Sequence, residues 1–186
     1  TEAYGEVLKL NPDYKMRFNA RISRAIAFDV RGSDSKAVKK ELKKMLKDTK
    51  NEEFKDQIYF ALAELALKED DEPLAVELLQ KSINTSVSNN KQKSLSYLRL
   101  ADLYFERPNY IAAQERYDST LQFLPEEHPE YFPTEDKNNN LKDLVRNLKI
   151  IKLQDSLLVL SNLSTGDREK KVKEIIKALK EEDERK

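Results

Sequence analysis

Along this chain the apolar residues recur at helical spacing, and no run of alternating β-branched residues bounded by turn dipeptides suggests a strand. Between residues 97 and 125, Tyr97, Leu100 and Tyr104 share one helical face, and Tyr117 and Leu121 share a second. The small Ala101 and Ala113 lie 12 residues apart, one on each predicted helix. Small side chains there let two antiparallel helices approach closely, with the bulky residues filling the space on either side. The same pattern returns every 38 residues, at Ala37, Ala75 and Ala113 and at Ala25, Ala63 and Ala101. Phe28, Ala66 and Tyr104 share this register, as do Met45, Ile83 and Leu121. Three helix pairs are therefore predicted. Their turns fall at "ERPN" (106–109), at "EDDE" (69–72) and at Gly32 in "RGSDS", with Pro125 ending the last second helix.

This pattern resembles the tetratricopeptide repeat (TPR). Tyr97, Leu100, Ala101, Tyr104, Ala113, Tyr117, Thr120 and Pro125 fill the places of the repeat's consensus. The middle unit fills them with Tyr59, Leu62, Ala63, Ala66, Ala75, Leu79 and Ser82, and has Val87 in place of Pro. The first unit departs most, with Arg21 and Arg24 at apolar places. The TPR period is about 34 residues, so longer loops are expected around 49–54 and 86–92. The expected fold is all-α, a right-handed superhelical solenoid of antiparallel helix pairs with C-terminal capping helices. Its predicted parts are the end of a truncated unit (1–15), repeat units at 16–52, 53–90 and 91–127, and a connector with C-terminal helices (128–186). "YGEVLKLNPDY", ending near Pro12, reads as the second helix of a preceding unit, so the chain reads as an interior piece of a longer array.

After the repeats, "EEHPEYFPTED" (126–136) is expected to be a connector. Leu141, Leu144, Val145, Leu148, Ile151, Leu158 and Val159 predict a helix over about 135–162. "LSTGD" (163–167) breaks it, with Ser164 or Thr165 as N-cap of a last helix over about 166–183. Val172, Ile175, Ile176 and Leu179 line one face of that helix. The two helices are expected to cover the terminal apolar face of the array, as capping elements do.

Composition narrows the function. The 186 residues hold only 3 Gly and 6 Pro, which favours long helices and leaves no glycine-rich phosphate loop. The 34 basic and 34 acidic residues cancel, which speaks against a dedicated nucleic-acid binder. Without Cys there are no disulfides, no thiol chemistry and no Cys-based metal site.

Three stretches carry a closer resemblance: "KMLKDTKNEEFKDQIYFALAELAL" (44–67), "AQERYDSTLQFLP" (113–125) and "IKLQDSLLVLSNLS" (151–164). Together they resemble the large TPR lipoproteins of Bacteroidetes known as SprE or PorW. "KDQIYF" and "QDSLLVL" are its more specific parts, because repeat packing does not require their polar residues. The resemblance implies a part in gliding motility and type IX secretion, and a periplasmic place. It also implies anchorage to the outer membrane through a lipidated N-terminal Cys outside these residues, so that membrane contact is indirect. The implied role is a non-enzymatic scaffold linking motor or ring components to the outer-membrane translocon. The expected partners are secretion-system proteins, with no cofactor and no metal. A TPR co-chaperone or assembly adaptor for exported proteins is the alternative.

The first helices of TPR units line a concave groove. By register that groove takes Asn19, Ile22, Ile26 and Asp29 from the first unit. The second contributes Gln57, Phe60, Glu64 and Leu67, and the third Leu95, Leu98, Asp102 and Phe105. It is expected to bind peptide through apolar and acidic contacts. Glu64 and Asp102 argue against a clamp for a terminal carboxylate. The competing expectation is that the C-terminal helices or solvent fill the groove. "KAVKKELKKMLKDTK" (36–50) reads as a solvated basic face rather than a phosphate-binding patch. His128, the one histidine, is expected in an exposed loop; a hydrolase would need it beside a Ser such as Ser119 and an Asp. "KEDDE" (68–72) lacks the spacing of a calcium loop and reads as solvated acids at a turn. Asp56 and Gln57 read as helix-start residues or as contacts at the groove rim.

Overall fold

The computed structural model describes residues 2–30 and 35–183. Among the described residues the regular elements are helical and no strand occurs. In chain order they are α1 (Glu2–Lys9), α2 (Tyr14–Ile26), α3 (Lys36–Lys47) and a 3-10 turn (Thr49–Phe54). Next come α4 (Lys55–Lys68), α5 (Glu72–Thr85), α6 (Asn90–Glu106) and α7 (Tyr110–Phe123). The last two are α8 (Tyr131–Ser161) and α9 (Thr165–Asp183). Gly32, expected to mark the first turn, lies outside the described residues.

The helix starts follow from short polar side chains that serve the otherwise unpaired first-turn amides. Asp13, Asp71, Asn89 and Asn109 accept from the backbone N–H of Met16, Leu74, Gln92 and Ala112, at 2.7, 3.2, 3.2 and 3.4 Å. Beyond the end of α4, Asp70 has a φ of 58°, in the left-handed region that Asp tolerates, and the Asp71 amide reaches back to the Ala66 carbonyl at 2.9 Å. The residues beyond the usual repeat length form the 3-10 turn at 49–54 and a short loop before α6.

Helix contact follows chain order from α4 to α7. α4 packs on α5, α5 on α6 and α6 on α7, while α4 also touches α2, α3 and α6. The close approach predicted at the alanines is present: Ala63, Ala75, Ala101 and Ala113 are all fully buried. Leu79 and Tyr117 are also fully buried, at matching places on α5 and α7. A hydroxyl chain pins the end of α5 to the starts of α4 and α6. Ser82 Oγ donates to the Asp56 carbonyl at 2.7 Å and lies 2.8 Å from Ser96 Oγ.

The first pair is built differently. Ala37 is exposed, although its counterparts Ala75 and Ala113 are buried. α2 makes its helix contacts with α1 and α4, and α3 makes its own with α4 and the 3-10 turn. The reason lies in three positions. Arg21 and Arg24 stand where the later units have Tyr59 and Leu62, then Tyr97 and Leu100. Glu41 stands where they have Leu79 and Tyr117. Glu41 pairs with Arg21 at 3.1 Å and also with Arg24. Long, half-buried charges thus replace short apolar contacts, and the two helices stand off from each other.

α8 begins at Tyr131 rather than near residue 135, so the connector is shorter than expected. Pro133 is compatible with this, because a first-turn residue has no intrahelical amide bond to lose. Asp136 and Asn138–Asn140 therefore lie inside α8. The chain divides after Asn140 into two compact units. In the second, Arg168 closes the end of α8, donating from Nε to the Leu160 carbonyl at 2.9 Å and from Nη2 to those of Ser161 and Leu163 at 3.2 Å. Ser164 caps α9, accepting from the Asp167 amide at 3.3 Å and donating to its carboxylate at 2.7 Å. Ile150, Ile151, Leu153, Leu157, Leu158 and Val159 of α8 are exposed, and so is the α9 stripe Val172, Ile175, Ile176 and Leu179. Among the described residues no helix is long and apolar enough to cross a membrane.

Candidate interaction surface

The twelve residues expected along the groove fall on α2, α4 and α6, except Asp29, which follows α2. Their surroundings separate them. Ile22 is buried in the hydrophobic core and Leu98 is buried, which differs from their expected place on the binding surface. Period alone cannot tell a groove-facing apolar residue from one a turn away that faces the neighbouring helix. Ile26, Phe60 and Leu67 are half-buried against the core, and Gln57 and Leu95 are half-buried. Asn19, Asp29 and Phe105 are exposed, with the Phe105 ring edge-on to Tyr110 at 5.6 Å.

The two acids of the expected groove are engaged by other parts of the chain. Glu64 accepts from Arg99 Nε at 2.8 Å, joining α4 to α6. Asp102 accepts from the Tyr117 hydroxyl at 2.8 Å and from Lys137 of α8 at 2.9 Å. The Lys137 ammonium also lies 5.7 Å from the Tyr117 ring centroid. Burial and the Asp102 carboxylate push the Tyr117 phenol far up, so it stays a hydrogen-bond donor. Asn138 adds a bond to Asp118 at 2.6 Å. The start of α8 is therefore bonded to α6 through Lys137 and to α7 through Asn138.

"KDQIYF" has a packing role that the sequence did not disclose. Asp56 is buried and accepts from the Gln57 amide at 2.8 Å and from Ser86 Oγ at 3.0 Å. Burial pushes its carboxyl above the ordinary carboxylate range, and these hydrogen bonds only partly offset it. Gln57 is left on the half-exposed face.

The acidic turn meets expectation only in part: Asp70 and Asp71 are exposed, whereas Lys68, Glu69 and Glu72 tie helices together. Lys68 donates to the carbonyls of Ile26 and Phe28, the latter at 2.9 Å, and so closes the end of α2. Glu69 receives Ser35 and Lys39, and Glu72 pairs with Arg107. Among the described residues no group of three or more His, Asp or Glu is gathered to hold a metal ion. His128 is half-buried, and its Nδ1 accepts from the Glu130 amide at 3.2 Å. Ser119 Oγ donates to the Glu115 carbonyl one helical turn away, at 2.9 Å.

A second concavity, unforeseen from the sequence, lies between α2 and α3. It is a cleft of about 690 Å³ that includes Tyr14, Phe18, Ala37 and Met45 among its walls. Arg17, Arg21, Lys40, Lys44 and Lys47 also line it, with Glu41 and Asp48 as the carboxylates. Within its lining Tyr14 bonds Asn51, whose Nδ2 donates to the Met45 carbonyl at 2.9 Å. The sequence signal for this cleft is the charged trio Arg21, Arg24 and Glu41 at places where the later units are apolar.

No protein-family model matches the chain, and no curated protein matches it.

Proposed function

We propose that the protein is a non-enzymatic protein–protein interaction scaffold, folded as a TPR superhelical array, within a periplasmic type IX secretion and gliding machinery. It links motor or ring components to the outer-membrane translocon. The observation that carries the scaffold reading is the repeated helix crossing. Ala63 against Ala75 and Ala101 against Ala113 are fully buried at one period of 38 residues, in helices packed in chain order. Such an array displays a long rigid surface, and affinity then comes from a few aromatic and apolar anchors. Phe60 and Phe105 are the accessible aromatic groups of the expected groove. The secretion assignment is supported by the resemblance of residues 44–67, 113–125 and 151–164 described above.

The test is site-specific photo-crosslinking in secretion-competent cells, with the probe at Phe60 and Phe105 and a third probe at Lys43. Adducts from the two groove positions with one secretion-machinery subunit support the proposal. Adducts with many unfolded exported clients favour the adaptor reading. Adducts from Lys43 alone overturn the groove as the docking face.

A further inference from the structure

We propose that the cleft between α2 and α3 docks an acidic amphipathic helix of a partner protein. This rests on reading the chain as an interaction scaffold, and it gives one partner surface a stated chemistry. The closed pairs fill the corresponding space with their own side chains, Tyr59, Leu62 and Leu79 in one case. In the first pair Arg21, Arg24 and Glu41 hold the helices apart and leave an open slot of about 690 Å³, within the range of ligand-binding clefts.

The slot has two chemical faces. Tyr14 and Ala37 are exposed at its wall, with Met45 beneath them. An apolar stripe at positions i, i+3, i+4 and i+7 of a partner helix matches such a surface. Around it stand Lys40, Lys44 and Lys47, none of which makes an ion pair with another described residue. Arg21 Nε is buried 3.1 Å from Glu41, yet it lacks the alignment of a hydrogen bond. Cations above an apolar floor select carboxylates flanking apolar side chains. A phosphate polymer or lipid headgroup would use the cations, but it would leave the apolar wall wet and meet the carboxylates of Glu41 and Asp48.

The chain has two methionines, which makes the test specific. Met45 lines the cleft, whereas Met16 is 54% exposed on α2 and is not part of the lining. Protein labelled at the methionine methyls is titrated with a synthetic Glu-rich helix carrying Leu at i, i+3, i+4 and i+7. Controls are a Lys-rich version of the same helix and vesicles containing phosphatidylglycerol. The expected result is a saturable shift of the Met45 signal with the acidic helix alone, while Met16 stays still. Lys40→Glu with Lys44→Glu is expected to abolish the shift. Ala37→Leu, which fills the slot without changing charge, is expected to weaken binding about tenfold. Three results overturn the proposal: no Met45 shift at saturating acidic helix, an equal shift with the Lys-rich helix, or a shift with vesicles alone. A Met45 signal that moves with protein concentration in the absence of peptide assigns the slot to a second copy and overturns it as well. Crosslinks from Phe60 and Phe105 persist if only the cleft assignment fails, so the two readings fail separately.

Discussion

The pair α4–α5 and the pair α2–α3 occupy equivalent places in the repeat, yet one is closed and the other open. In the closed pair Tyr59, Leu62 and Leu79 fill the space beside fully buried alanines. In the open pair Arg21, Arg24 and Glu41 take those places, and Ala37 is exposed. Three substitutions by charge thus convert a packing contact into a cleft. A repeat can keep its helical period while losing the contact that the period normally serves, because helicity is local and closure depends on what meets across the gap.

The sharpest way to break this comparison is truncation. Leu79→Ala removes a fully buried side chain and should cost about 2–5 kcal/mol. Glu41→Ala at the matching place leaves partly solvated arginines and should cost about 1 kcal/mol or less. Urea denaturation of both variants checks this; equal losses would mean that the first pair is as closed as the second. Enlargement is the complementary change. Ala113→Leu overpacks a fully buried crossing, at a cost of about 1–3 kcal/mol. Ala37→Leu points into the cleft and should stay within about 0.5 kcal/mol of the parent.

Much of this contrast was legible in the sequence. The period of 38 residues, the buried alanines and the two arginines at apolar places are visible there. Glu41 does not stand out as their partner, because on its own helix it is one acid among lysines. The expected groove was legible as a set of register positions only. Its acids turned out to be joined to Arg99, Tyr117 and Lys137, which lie 15 to 35 residues away.

A smaller effect separates the regions by pH. Asp56 serves the closed pair, and its folded-state pKa is raised by burial. The stability from its neutral form is full below the unfolded carboxylate value and is lost as pH rises through the raised value. Asp56→Asn should remove this dependence, so the stability of the parent relative to the variant should fall from acid toward neutral pH. Denaturation midpoints across that range check the sign. The smallest expected effect is dynamic. Amides of α2 and α3 should exchange faster than those of α4 and α5, and added salt should widen the gap by weakening the Arg–Glu contacts. Hydrogen exchange at two salt concentrations measures it.

The sequence by itself determined where the helices lie, apart from the early start of α8, and it supplies the residues that start them. Asp71, Asn89, Asn109 and Ser164 act within one turn of chain, and apolar period is a property of a single helix. The tertiary structure decided which pairs close, that Asp56 is buried, and that Lys68 and Glu69 bind neighbouring helices instead of water. Each of these depends on which distant side chains meet and on the space between them, and a linear pattern does not carry that separation.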